Sequence, residues 1–339
     1  MSASQTSPDF YSLLKDTSRS FYLGIMGLKQ PLRDRVCCGY LFCRLMDIFE
    51  DASQCAPEPR ARLLASLRVF LTQLKFDSAT LQVALRSYEE EKLSVAEPLE
   101  TYFMANSHER ALFEQSPVLL AHIAAFPLSV RVAFSGSLMD MALGMETEIA
   151  TELSRPPRWE RSTQDFDQYC YTVAGTVGIF LTQLFWDEQG FEAKRTLPEM
   201  EKLGESFGKA LQIVNITKDF HGDWQEGRCF WPRILGPGGV GTVPPTAVEL
   251  APALSVLEQK FSENIENARN YISGLSPQRN DIRFFCDFPL QMAERTMAIA
   301  LGSEDWLTKG EAPKVSKSET LLLLQKLGLF YALPSLWKD

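Results

Sequence analysis

Residues 40–51 read YLFCRLMDIFED, and their spacing suits a helix. Residues three and four apart are neighbours on a helix, so Tyr40, Arg44, Asp47 and Asp51 share one polar stripe. Leu41, Leu45 and Ile48 form an apolar stripe beside it. Two carboxylates so close to core-facing positions repel each other and lose hydration unless a cation or another partner compensates. Taken alone, the segment reads equally well as solvated acids at a helix end, because the motif is short.

A second segment strengthens the first reading. In residues 212–223, QIVNITKDFHGD, the positions Gln212, Asn215, Asp219 and Asp223 fall on one helical stripe, with Phe207, Leu211 and Val214 marking the packing face. Carboxylates four apart on each of two helices offer hard oxygen ligands. Mg2+ takes a few carboxylates, keeps waters and binds phosphate oxygens, which fits this inventory. Arg44, Lys218 and Arg228 are candidate phosphate cations, arginine as a fork and lysine as a point charge. The plain alternative is a pair of interhelical salt bridges. Ionisation of an allylic diphosphate needs this combination of acids and Mg2+: metal ions act as Lewis acids on the departing diphosphate. The carbocation left behind must be kept from water among apolar and aromatic walls. With 22 Phe, 9 Tyr and 6 Trp the chain has material for such walls, although most of these aromatics are ordinary core.

Helical spacing continues along the chain. After Pro127, which suits a first helical turn, Leu128, Val132, Leu138, Met141, Met145 and Ile149 recur at helical intervals. Phe166, Tyr169, Val173, Val177, Phe180 and Leu184 do the same. Further helices are predicted over 32–51, 60–75, 79–93, 198–224, 246–273 and 284–302. Breaks fall at Ala56-Pro57-Glu58-Pro59, at Arg155-Pro156-Pro157, and across residues 232–246, PRILGPGGVGTVPPT. The sequence shows no alternating strand with a hairpin signal, no internal repeat and no low-complexity tract. One all-α domain over residues 1–339, a bundle of many packed helices, is predicted.

Composition narrows the function. The 339 residues suffice for a sizeable core. A net charge of −9 argues against a generic nucleic-acid binder and against adhesion to anionic lipid by overall charge. The seven cysteines, an odd number without a C-x-x-C pair, sit mostly in apolar runs and point to a reducing cytoplasm. Only His108, His122 and His221 are present, widely separated, so a zinc site or a Ser-His-Asp triad has little raw material. The opening MSASQTSPDF lacks the layout of a signal peptide. The longest apolar stretch, Leu119 to Phe134, is interrupted by His122, Pro127 and Arg131, so no transmembrane span is expected.

These residues resemble the squalene/phytoene synthase family, with landmarks in family order over nearly the whole chain. Ser18-Arg19-Ser20-Phe21 resembles the opening S-R-S-F signature, and residues 44–51 resemble the first aspartate-rich motif. Tyr169-Cys-Tyr-Thr-Val173-Ala174-Gly175-Thr-Val-Gly178 resembles the Y-C-x-x-V-A-G-x-V-G helix. Residues 212–223, followed by Gly227-Arg228-Cys-Phe230-Trp231-Pro232, resemble the second aspartate motif with its G-R-x-F-W-P extension. Phe285-Cys286-Asp-Phe-Pro289-Leu-Gln-Met292-Ala293 resembles the F-C-x-x-P-x-x-M-A stretch of the squalene-forming members. Lys314-Val-Ser-Lys317 resembles their basic, nicotinamide-binding segment, against the plain reading of a solvated charge pair.

The resemblance implies an isoprenoid-synthase α fold with a central apolar cavity. It implies head-to-head joining of two farnesyl diphosphates through presqualene diphosphate, then NADPH-dependent reduction to squalene. Asp47, Asp51, Asp219 and Asp223 would hold Mg2+, with Glu50 a weaker ligand or outer partner. Ser18, Ser20, Tyr40, Arg44, Gln212, Asn215, Lys218 and Arg228 would contact diphosphate or its metal shell. Phe21, Val173, Ala174, Gly175, Gly178, Phe285 and Pro289 would line the cavity; close helix packing explains the two glycines equally well. Lys314 and Lys317 would bind NADPH. Arg44 and Asp219 would act in catalysis with a tyrosine, either Tyr169 or Tyr171.

Three departures from the family pattern bear on this. Gly222 precedes Asp223 where Glu is usual, Lys218 replaces an arginine, and Thr172 stands where a tyrosine usually precedes V-A-G. An unreduced product (presqualene diphosphate, dehydrosqualene or phytoene-like) is the alternative within the class, and a non-catalytic helical scaffold is the alternative outside it. A monomer without a transmembrane anchor, touching a bilayer surface peripherally, is expected.

Overall fold

Helix caps written in the sequence set many of the element boundaries. The computed structural model describes residues 9–152, 161–188, 191–232, 245–303, 306–307 and 310–331. By its contacts the chain divides into two compact units, Met1–Thr151 and Glu152–Asp339. The predicted break at residues 155–157, and residues 233–244 of the break predicted across 232–246, lie outside the described residues.

The first unit holds α1 (Phe10–Thr17), α2 (Arg19–Gly27), α3 (Leu32–Asp51), α4 (Pro57–Gln73), α5 (Ser78–Ala105), α6 (Ser107–Ala124) and α7 (Leu128–Thr151). The α1, α2 and α6 segments were not among the predicted helices. Asp9, Ser18 and Asp77 cap α1, α2 and α5 by accepting from backbone N–H groups left unpaired at each start. Pro57 opens α4, where its fixed φ suits the first turn. The predicted helix over 32–51 forms as read, and its apolar face, including Leu41, Leu45, Ile48 and Phe49, is buried. The Phe42 ring lies 6.3 Å from Phe70 and 6.1 Å from Phe134, tying α3 to α4 and α7. Arg60, fully buried, donates to the carbonyls of Phe49 (3.3 Å), Glu50 (3.1 Å) and Cys55 (3.1 Å). It thereby pairs orphan acceptors at the end of α3.

Leu128 and Val132 correct the sequence reading. They are 54% and 46% exposed, whereas Val130, Ala133 and Phe134 take the core side of the first turns of α7. Leu138, Met141, Met145 and Ile149 are buried as expected.

The second unit holds α8 (Thr163–Cys170), a π-helical turn (Tyr171–Gly175), α9 (Thr176–Trp186), α10 (Leu197–Gln225), α11 (Ala247–Gly274), α12 (Asn280–Gly302) and α13 (Lys317–Phe330). Capping boxes start α8 (Ser162/Asp165), α10 (Thr196/Glu199) and α11 (Thr246/Glu249). α10 is the central rod, packed against α8, the π turn, α9, α11 and α12. Arg279, at the start of α12, is buried and bridges Asp281 through two 2.9 Å bonds while reaching Glu188 at 3.5 Å. α13 folds back on α12 through Phe284, Phe288, Leu323, Leu327 and Tyr331. No helix among the described residues is long and apolar enough to cross a membrane.

Candidate active site

In the first unit the polar stripe of α3 runs beside the start of α2. Ser18 accepts from the Phe21 N–H (3.0 Å), and the Tyr40 hydroxyl donates to the Thr17 carbonyl (3.1 Å). The Phe21 and Tyr40 rings lie 6.0 Å apart. The side chain of Ser20 lies outside the described residues. One turn on, Arg44 Nη1 sits 3.4 Å from Asp47 and 3.8 Å from Asp51, while Nη2 bonds the Glu109 carboxylate of α6. The Tyr102 hydroxyl of α5 donates to the other Glu109 oxygen. One guanidinium therefore serves three acids.

Burial pushes the Asp47 carboxyl up to about 7; Arg44 opposes the rise, while Asp51 and Glu109 add to it. Burial also works against charge on Arg44, but Asp47, Glu109 and Asp51 outweigh it and keep the guanidinium charged. The acids outnumber their cation, so an added divalent ion has oxygen donors here whose repulsion it would relieve. Glu50, half-buried, gives its backbone carbonyl to Arg60.

In the second unit the stripe of α10 is a ladder of side-chain contacts. Asn215 donates to Gln212 (3.5 Å), Lys218 Nζ reaches Asn215 Oδ1 (3.4 Å), and the same Nζ lies 3.5 Å from Asp219. The two acids of the stripe differ. The Asp219 side chain is 54% exposed, whereas Asp223 is 14% exposed and lies 3.2 Å from Arg228. The local backbone explains that pairing. Gly227 has φ +81°, the left-handed conformation glycine adopts freely after a helix, and Arg228 N bonds back to the Asp223 carbonyl at 2.7 Å. Trp231, 1% exposed, anchors the extension by donating to the Ile216 carbonyl (3.0 Å).

The Y-C-Y-T-V-A-G segment contains the π turn, where the Thr176 N–H bonds the Tyr171 carbonyl five residues back. Such a turn rotates the following face relative to a regular helix. The stripe predicted from Phe166 and Tyr169 therefore slips: Val173 and Val177 are only half-buried, and Thr172, Gly175 and Thr176 take the buried positions. Tyr169 is buried, stacked on Phe230 at 4.8 Å, with the Arg161 guanidinium 4.5 Å above its ring. Tyr171 is half-buried beside Gly175. Ala174 is half-buried, and its carbonyl lies 2.0 Å from where a Cβ on Gly208 would stand. A Cβ on Gly178 would stand 1.9 Å from the Gly204 carbonyl oxygen. The space beside Gly178 is thus filled by the α10 backbone: close helix packing, and no room for a tail at that point.

Further along, Phe285 is buried with its ring 6.0 Å from Phe185, and Pro289 is half-buried inside α12. Lys314 and Lys317 are exposed on either side of Ser316, which with Glu319 caps α13.

A family model described as "Squalene/phytoene synthase" matches residues 14–319. The chain belongs to the squalene/phytoene synthase family. Among curated relatives, squalene synthase of Rattus norvegicus is 29% identical over 319 residues, covering 93% of this chain and 68% of that one. Squalene synthase of Homo sapiens is 28% identical over the same coverage. A solved structure of TcSQS with the ligand BPH1237 superposes with TM-score 0.70 at 24% identity, over 96% of this chain and 88% of that one. The fold is the all-α isoprenoid-synthase fold, and family membership implies a prenyltransferase.

Glu109, Tyr102, Arg60 and Arg161 also bear on the candidate site residues. None lies in a short motif; Glu109 and Tyr102 come from neighbouring helices, while Arg60 and Arg161 fold back from just beyond the end of α3 and just before α8. Asp167, Lys209 and Glu205 form another unforeseen cluster near the π turn: the buried Lys209 donates to Asp167 (2.9 Å) and lies 3.7 Å from Glu205.

Proposed function

We propose that this protein is a squalene synthase: it joins two farnesyl diphosphates head-to-head through presqualene diphosphate and reduces that intermediate to squalene with NADPH. The observation that carries the reading is the pair of i, i+4 acid stripes, each with a basic partner alongside, in a chain of this family. Asp47 and Asp51 on α3, with Asp219 and Asp223 on α10, are proposed to hold Mg2+. The donor set fits a hard ion: all four are carboxylates, Asp219 is widely exposed, and a bound cation would favour the ionised form of Asp47, whose carboxyl burial pushes up. Bound Mg2+ supplies Lewis-acid neutralisation of the departing diphosphate.

The chain's own groups do the rest. Arg44, Lys218 and Arg228 supply fixed positive charge to phosphate oxygens, and Ser18, Ser20, Tyr40, Gln212 and Asn215 supply neutral hydrogen bonds around them. Glu109 and Tyr102 hold the Arg44 guanidinium by its far nitrogen, so the fork keeps its direction when the aspartates turn to a metal. Phe21, Val173, Ala174 and Phe285 contribute apolar wall that excludes water from a carbocation. Tyr171 is the preferred proton-handling tyrosine, because Tyr169 is stacked under Arg161 and against Phe230. Lys314 and Lys317, both exposed, fit the phosphates of NADPH as point charges; NADPH supplies the hydride. The buried thiols suit the reducing cytoplasm, with peripheral contact at a bilayer for loading greasy substrate and releasing product.

Thr172, in the place of the usual tyrosine, favours one second reading: a synthase that stops at an unreduced product. Incubation with labelled farnesyl diphosphate and Mg2+, with and without NADPH, decides between them. Squalene that depends on NADPH is expected. The same product in both tubes overturns the reductive step, and unconsumed substrate in both overturns the enzyme reading.

A further inference from the structure

The first unit carries a second constellation of metal-ligating groups, well away from the aspartate stripe. Asp34 and Cys38 lie one turn apart on α3, and His122 sits in the last turn of α6. A carboxylate oxygen of Asp34, the Cys38 sulfur and a ring nitrogen of His122 all lie within 4.8 Å of one another. His122 Nε2 and Asp34 Oδ2 are 2.9 Å apart. The Phe10 and Phe126 rings stand edge-on to the imidazole at 5.3 and 5.2 Å and cover part of it, while the side chain stays 41% exposed. Adjacent Cys37 takes a different direction, its sulfur lying 3.7 Å from the Phe10 carbonyl. The two vicinal thiols are therefore not equivalent, and Cys38 is the one that joins the histidine and the acid.

We propose that Asp34, Cys38 and His122 form a binding site for a borderline-soft divalent cation, zinc above all, with water as the fourth ligand. One sulfur, one imidazole nitrogen and one carboxylate oxygen are the ligand types zinc takes in tetrahedral sites, and three protein ligands plus water is a common set. The same set is poor for Mg2+, which takes oxygen and keeps its waters. Ligand-to-metal distances near 2.0–2.3 Å set tetrahedral ligand atoms about 3.3–3.8 Å apart, so the 2.9 Å Asp34–His122 pair must open slightly while the sulfur stays within the 4.8 Å cluster, changes within reach of side-chain rotation. On binding, the Cys38 thiol gives its proton to solvent and the thiolate stays on the metal. Burial and the neighbouring Cys37 and Asp34 push that thiol up in the absence of a cation. The sulfur is thus no free nucleophile; a cation is what would ionise it.

The site has a mechanical consequence. α3 and α6 are joined at one place by Arg44 with Glu109, and at the other by Asp34 with His122. Nine residues separate Cys38 from Asp47, about 14 Å along the helix at 1.5 Å per residue. A metal here does not compete for the aspartates, but it clamps the helix that presents them.

The test uses the full chain, stripped with a chelator and titrated with Co2+ as a spectroscopic probe and then with Zn2+. A near-ultraviolet thiolate-to-cobalt charge-transfer band, saturating at one Co2+ per chain, removed by Zn2+ and untouched by excess Mg2+, is expected. The oxygen-only aspartate stripes cannot give that band. Cys38→Ser should abolish it. His122→Asn, at a half-exposed position that leaves the buried thiol in place, should weaken Zn2+ binding at least about a hundredfold, since loss of even an outer-shell partner costs 10–100-fold. Absence of the band, a band that survives in Cys38→Ser, or Zn2+ affinity unchanged in His122→Asn would each overturn the site.

Discussion

Gly178→Ala tests whether close approach of α9 and α10 is what that glycine provides. The added Cβ would stand 1.9 Å from the Gly204 carbonyl oxygen and 2.6 Å from its carbon, where contacts under 3.0 Å are essentially never seen. The two backbones must therefore part by about 1.1 Å, and a gap of this size forfeits a quarter to a half of each dispersion contact along the seam. Overpacking of a well-filled core costs about 1–3 kcal/mol, and backbone against backbone falls at the upper end. Alanine returns up to about 1 kcal/mol of helix propensity, leaving a net loss of about 2 kcal/mol. For a cooperative unit of 150–250 residues that lowers Tm by about 4–8 °C. The control is Gly222→Ala on the partner helix α10, where a Cβ meets nothing within 4 Å. There only the propensity gain applies, and stability should rise by about 0.5–1 kcal/mol. Both are read by thermal melts and urea unfolding of the full chain. A Gly178→Ala protein as stable as Gly222→Ala would refute the packing argument.

Further outcomes are expected at other positions. Arg60→Met leaves the Phe49, Glu50 and Cys55 carbonyls without this donor, and should cost about 3–5 kcal/mol in urea unfolding, at about 1–3 kcal/mol for each buried acceptor left unsatisfied. The metal-free protein should lose stability as pH rises toward and through 7. The Asp47 carboxyl has a folded-state pKa raised to about 7, so its favourable contribution is whole below the ordinary carboxylate range and is lost as it ionises. Asp47→Asn should flatten that slope; an unchanged melt-versus-pH profile would place the ionisation elsewhere. Mg2+ affinity should rise with pH to the same point, since the bound form needs the ionised acid. The pair Lys314→Ala with Lys317→Ala should slow reduction while sparing condensation, read by accumulation of presqualene diphosphate; equal loss of both steps would assign the lysines a structural role.

Much of the fold was legible because its helices carry strong local signals. Residues 32–51 obeyed a 3.6 period with an apolar face, and the helices predicted from 198 and 246 begin within one residue of those positions, whereas Pro57, read as part of a break, opens α4. The short helices α1 and α2 were missed, since eight or nine residues show barely two turns of pattern. The buried stripe after Tyr169 was misassigned because a π turn leaves no mark in hydrophobic spacing. Leu128 and Val132 fit the period but lie on the exposed side, which only the neighbouring helices decide. At the candidate site the acids and their stripes were readable from spacing. The groups that hold them were not: Glu109 meets Arg44 from α6, 65 residues away, and Tyr102 of α5 in turn donates to Glu109. The scarcity of histidines argued against a zinc site, yet His122 meets Asp34 from 88 residues away. Side chains that converge from separate helices are invisible to one-dimensional reading.

Release of pyrophosphate from farnesyl diphosphate, followed in the wild-type chain and in Asp47→Asn and Asp219→Asn, bears most directly on the claim that the two acid stripes drive ionisation through Mg2+. Release should require Mg2+ and should fall by at least about a hundredfold in each variant, the scale for removing one preorganised charge-stabilising group, with helical content retained. Release at the wild-type rate in either variant, or without any divalent ion, would contradict it.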